Sequence, residues 1–122
     1  MITLEKSQHS LQLKLQKDTL TAKEVTEGIR ECFINCQMAF MQQRRPQIST
    51  AEVGRIANEL VREVYHEEGV TVETATPTML RHVINILDQR FEFMQDPEIR
   101  DIHMGVMDML LGKLESNTAA TA

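Results

Sequence analysis

Four helix-start signals divide this chain, and their order constrains its fold more than any other feature. Thr21-Ala22-Lys23-Glu24 and Ser49-Thr50-Ala51-Glu52 both read as capping boxes, in which a hydroxyl and a carboxylate satisfy the free N–H groups of a first helical turn. Thr76-Pro77 and Asp96-Pro97 are cap-then-proline starts, with Glu98 placed favourably at the positive end of the helix dipole. The stops agree with the starts. Pro46 cannot continue the first helix beyond about Arg45, and Gly69 closes the second. The third is predicted to run from Pro77 to Met94, after an extended connection "VTVETAT", and the fourth starts at Pro97.

The expected fold class is therefore mainly α. It is a four-helix bundle-like or orthogonal helical domain, preceded by a short N-terminal β-hairpin. The hairpin is placed in residues 1–18 because "LQLKL" alternates apolar and polar residues, although Leu4, Leu11 and Leu15 would also share a helical face. Residues 1–115 form a single domain on this reading. Residues 116–122, "SNTAATA" with the residue before excluded, carry too little apolar surface to pack and are expected to be a flexible tail.

Composition narrows the function. At 122 residues the chain is long enough for one real core, and 42% hydrophobic with 25% charged residues is ordinary globular usage. A net charge of −5 argues against a domain built to grip phosphates, so nucleic acid is not an expected partner. No run approaches the ~20 apolar residues of a membrane span. The opening "MITLEKSQHS" lacks a cationic region followed by an apolar one, and two cysteines make no disulfide framework, so a cytoplasmic, reducing setting is expected. Trp is absent and only five aromatics occur, against eight Met. Such a chain is poor in the rings that line substrate pockets and rich in the side chain that suits adaptable surfaces.

The helical faces carry the main functional expectation. In the second helix Val53, Ile56, Ala57, Leu60, Val61 and Val64 make one stripe, opposite Arg55, Glu59, Arg62, Glu63 and His66. The first helix has two. Val25, Ile29, Cys32, Phe33, Cys36 and Phe40 form a core stripe, while Ile34, Met38 and Met41 lie roughly opposite. In the fourth, Met104, Met107 and Leu111 widen the stripe of Ile99, Ile102, Val106 and Leu110. Apolar width beyond one core face needs a partner or a central position in the fold. The expected interface is thus Ile34, Met38, Met41, Met104, Met107 and Leu111, with a homodimer as first choice and another protein as second.

Candidate chemistry is sparse. Cys32 and Cys36 stand at i, i+4, a spacing that offers two corners of a metal site, but their own helix holds no His and no further Cys, and their stripe is apolar. They are read as core residues, and no metal or cofactor is expected. Glu63-Val64-Tyr65-His66 spells the ExxH of di-iron bundles, which need two such pairs directed inward; this single one falls on the solvent face. His103, at the edge of the last stripe, reads as a core histidine bonded to a backbone carbonyl. Arg44 and Arg45 are explained by the negative end of the helix dipole. "STAEVGRIANELV" resembles the opening of a helix-turn-helix, but Glu59, Glu63, Glu67 and Glu68 would face the phosphates. No nucleophile elbow, dinucleotide or phosphate-binding loop is present, so no catalytic residues are assigned.

One outline likeness remains. A leading hairpin, two helices, the link "VTVETATPTML" and a third helix, over residues 2 to 94, is similar to ATP-cone regulatory domains. The resemblance implies nucleotide sensing through the hairpin. The basic turn of that family, Lys-Arg-Asp/Asn-Gly, is here Lys6-Ser7-Gln8-His9. The leading expectation is a non-enzymatic helical interaction or regulatory module acting through homodimerisation, with nucleotide sensing as the alternative.

Overall fold

A computed structural model describes the backbone of residues 19–121 and the side chains of residues 19–115. Four α-helices follow one another: α1 (Ala22–Arg44), α2 (Thr50–Glu67), α3 (Pro77–Arg90) and α4 (Pro97–Thr121), with a short 3-10 helix, Glu92–Gln95, before the last. The expected mainly helical fold is observed. The expected hairpin lies outside the described residues, and among the described residues there is no strand. No described helix is long and apolar enough to cross a membrane. The backbone of α4 stays helical to Thr121, through the stretch in which composition suggests a tail.

The boundaries form for the reasons the sequence offers. Thr21 Oγ1 accepts from Glu24 N at 3.2 Å while Glu24 Oε1 accepts from Thr21 N at 3.1 Å, a complete capping box. At α2 half of the box is made: Ser49 Oγ accepts from Glu52 N, but the Glu52 carboxylate turns to Arg55. Gly69, at φ +68°, ends α2. Val70 N donates to Tyr65 O and Gly69 N to His66 O, the paired bonds that a left-handed residue makes possible at a helix end. Thr76 Oγ1 caps α3 through Met79 N, and Asp96 Oδ1 caps α4 through the amides of Glu98 and Ile99. The link between α2 and α3 departs from the extended segment expected. Thr71 and Thr74 bond each other's amides through their hydroxyls and close a tight turn.

Helix α1 is the centre of the molecule. It packs against α2, α4 and the 3-10 helix, and no residue from Gly28 to Gln42 is exposed. Its second apolar face is covered by α2, where Gly54 permits a close approach: a Cβ there would stand 3.2 Å from Met38 Sδ and 3.7 Å from Ile34 Cγ2. Tyr65 of α2 donates to the Thr26 carbonyl at 2.9 Å, and Arg30 of α1 donates to Asn58 Oδ1 at 3.0 Å. Two apolar faces on one helix here mean neighbours on two sides within the chain.

The third helix stops earlier than its pattern predicts. Phe91 is extended, at φ −89° and ψ 132°, and one 3-10 turn follows. In an unbroken α-helix Phe91 and Phe93 would point about 200° apart. The break turns both inward, leaving them 5% and 0% exposed against Phe33 of α1. That local departure builds the wall of the site described next.

Candidate functional site

Cys32 and Cys36, one turn apart on α1, aim their sulfurs at the space between α1 and α4, where His103 enters from the other side. Cys32 Sγ lies 3.9 Å from Cys36 Sγ and 3.7 Å from His103 Nδ1. The sulfur separation is almost twice a disulfide bond length of about 2.05 Å. The other ring nitrogen, His103 Nε2, is 2.9 Å from Asp88 Oδ1 of α3. Four groups from three helices thus meet. The histidine bonds a carboxylate and a sulfur, where a backbone carbonyl was the expected partner.

An aromatic wall encloses the cluster. The Phe33 and Phe93 rings meet the imidazole nearly edge-on, with centroids 4.4 and 5.0 Å away. Phe91 closes the stack at 5.1 Å from Phe33. Cys32, Cys36 and His103 are each 0% exposed, while the Asp88 side chain retains 24% of its surface. Asp88 opens onto a cavity of about 230 Å³ between α3 and α4, lined also by Arg81, Asn85, Met104 and Asp108. The cluster therefore runs from buried sulfur, through imidazole, to a carboxylate within reach of water.

Electrostatics follow the contacts. Burial alone would depress the imidazole pKa, but hydrogen bonds to Asp88 and Cys32, with the charges on both, outweigh it and hold His103 up at about 9. Cys36 is held as a neutral thiol, its pKa pushed far up by the hydrogen bond to Cys32, then by burial, then by charge on Cys32. Thiol, imidazole and carboxylate in this order are also the nucleophile, base and orienting group of thiol-dependent acyl transfer. Here the sulfurs expose no surface that an acyl group could approach.

The residues singled out by sequence fall in several places. Met107 and Leu111, expected at an interface, are core residues at 4% exposure each, because α4 is flanked by α3 as well as α1. Ile34 and Met41 are half-buried against the core, and Met38 packs over Gly54. Met104, at 49%, is the one of the six that is exposed. Glu63 and His66 are both exposed, as the ExxH reading required for its dismissal. Arg44 lies over the Phe40 ring at 4.3 Å, a cation–π contact that occupies its charge. Asp88 was missed. Its one sequence signal is its place four residues after Ile84, an acid flanking the core stripe of α3.

Ile56, assigned to the core stripe of α2, is instead 54% exposed. It borders a largely apolar groove of about 380 Å³ formed with Met41, Ile48, Val53, Leu60 and Phe91. Gln37 lines the same groove, and among the described residues its buried Oε1 has no hydrogen-bond partner. Comparison of the chain with protein-family models, with curated proteins and with solved structures gives no match.

Proposed function

We propose that this chain is a non-enzymatic helical regulatory module whose responsive element is the buried Cys32–His103–Asp88 line, with Cys36 beside it. The observation that carries the reading is the burial itself. Three chemically responsive groups are sealed at the centre of the α1–α4 seam, where turnover of a substrate is sterically unfavourable. Any change in their protonation, oxidation or ligation must alter packing between the helices. A reducing, intracellular setting suits thiols in this role.

Hydrogen exchange on an Asp88→Asn variant tests the reading. The substitution keeps the shape of the side chain and removes the charge that holds the imidazolium. Exchange is expected to accelerate by roughly tenfold or more around Cys32–Cys36 and His103, while the turn at Thr71–Thr74 is unaffected, because openings of cooperative units are read locally. Protection in α1 and α4 identical to that of the unaltered chain would remove the cluster from any regulatory role.

A second reading, self-association, is favoured by the groove beside Ile56. Its occupant is a second copy of this chain. The rim carries Glu52 and Glu92 beside Arg90, both signs on one patch, so a two-fold contact can set unlike charges opposite one another. A donor from the second copy reaching Gln37 Oε1 would relieve a penalty of about 1–3 kcal/mol. Light scattering behind a sizing column should then show a dimer that Ile56→Glu converts to monomer with the same helical content. A dimer indifferent to Ile56→Glu would place association elsewhere. Nucleotide sensing through residues 1–18 predicts instead a melting temperature that climbs with ATP concentration.

A further inference from the structure

We infer that Cys32, Cys36 and His103 are protein ligands of a zinc-class cation, with Asp88 as the residue that positions the imidazole. The inference rests on the reading of the cluster as the responsive element and names what it responds to.

Distance is the first argument. With zinc–sulfur bonds of about 2.3 Å and zinc–nitrogen bonds of about 2.0–2.1 Å, a tetrahedral ion sets its ligands about 3.8 Å apart for two sulfurs and about 3.6 Å for sulfur and nitrogen. Two of the three separations here are 3.9 Å and 3.7 Å, and the third, between Cys36 and His103, is within 4.8 Å, so a small approach of Cys36 completes the set. The spacing that carries the sulfur hydrogen bonds of the metal-free cluster is thus also one that an ion can bridge.

Orientation is the second. A metal-bound histidine almost always donates its other ring N–H to a carboxylate or carbonyl, which fixes the tautomer. Asp88 Oδ1 holds Nε2 at 2.9 Å and thereby leaves Nδ1 facing the sulfurs. The ring is further clamped by Phe33 and Phe93.

Charge selects the ion. Two thiolates and a neutral imidazole balance a divalent cation, which a site enclosed by phenyl rings tolerates, and the Asp88 charge stays at the edge that reaches water. A monovalent soft ion such as copper(I) would leave one uncompensated negative charge in the same enclosure. On binding, the Cys36 thiol and Nδ1 of the imidazolium each give a proton to the buffer, as does Cys32 where it carries one, and two metal–sulfur bonds and one metal–nitrogen bond form; no electron is transferred. A fourth donor completes the tetrahedron. Because the sulfurs belong to α1 and the nitrogen to α4, the ion would pin the central helix to the last one.

The full chain, reduced and stripped with a chelator, is titrated with cobalt(II) and then with zinc. One equivalent of cobalt should bind with thiolate-to-cobalt charge-transfer absorption and the visible bands of a tetrahedral site, and zinc should bleach both. Asp88→Asn should keep that spectrum while losing 10–100-fold in affinity, the cost of removing an outer partner. A folded, reduced chain that binds neither ion overturns the inference, as does cobalt bound without a sulfur charge-transfer band. The double variant Cys32→Ser, Cys36→Ser should lose the band; because it could also unfold, the spectrum of the unaltered chain remains the deciding result. If exchange in α1 and α4 responds to Asp88→Asn but no ion binds, the metal assignment fails and the responsive-element reading stands.

Discussion

Phe33→Ala will lower the unfolding free energy by about 3–5 kcal/mol, the range for truncating a fully buried phenylalanine. Domains of this size hold about 5–15 kcal/mol in all, so the loss is a large fraction of the total. Three features put the effect at the upper end. The ring is 0% exposed, it touches Phe91, Phe93 and His103, and it belongs to the helix on which three other elements pack. Each aromatic contact adds about 0.5–1.5 kcal/mol beyond the area it buries. Rigid helices on both sides also limit collapse of the resulting cavity. Urea unfolding read by circular dichroism measures it, and a loss below about 1.5 kcal/mol would mean that the aromatic wall is not the structural centre.

The second large effect is a loss of stability with rising pH in the metal-chelated, reduced chain. The folded imidazole of His103 keeps its proton to about 9, whereas in the unfolded chain it is released near 6.5. Its stabilising contribution is therefore complete below pH 6.5 and is gone once pH passes 9. At 1.36 kcal/mol per unit, the difference amounts to about 3 kcal/mol. Cys36 acts with the same sign. Its folded thiol holds a proton that the unfolded chain begins to lose near 9.0, so it destabilises further only above that value. Urea midpoints at pH 6.5, 8 and 9.5 should fall in that order. Asp88→Asn should flatten part of the first stretch of the slope, since the carboxylate and Cys32 together outweigh burial and the substitution removes only the first.

Much of the helical plan was legible because its determinants are local. Thr21–Glu24, Ser49, Thr76 and Asp96 each cap a helix through bonds spanning two or three residues, and such pairs are visible in sequence. Gly69 is equally local, since a single left-handed residue suffices to end α2. The stripes along α1 and α2 told which faces are apolar but not what covers them. Ile34 and Met38 were assigned to an interface between copies because periodicity describes one helix at a time, while burial depends on where α2 crosses. Ile56 erred in the opposite direction for the same reason. Phe91 and Phe93 carried a hint, since an intact helix cannot bury both.

The cluster was legible only in fragments. Cys32, Cys36 and His103 were each noticed, and each was assigned to the core, where the structure does place them. Their meeting depends on a contact across 71 residues and on a carboxylate from a third helix, and neither leaves a spacing to read. What sequence reasoning lacked was the pairing of His103 with Cys32, which turns three core residues into one coupled group.

The most direct test is the imidazole itself. Nitrogen-15 NMR of the His103 ring, in chelator and reductant across pH 5.5 to 10.5, reports its protonation and tautomer without any substitution. The account predicts a ring protonated on both nitrogens at neutral pH, hydrogen-bonded at each, and titrating near 9. A ring that is neutral at pH 7 and titrates at or below the ordinary 6.5 would make His103 a packed core histidine, and the responsive element would be lost with it.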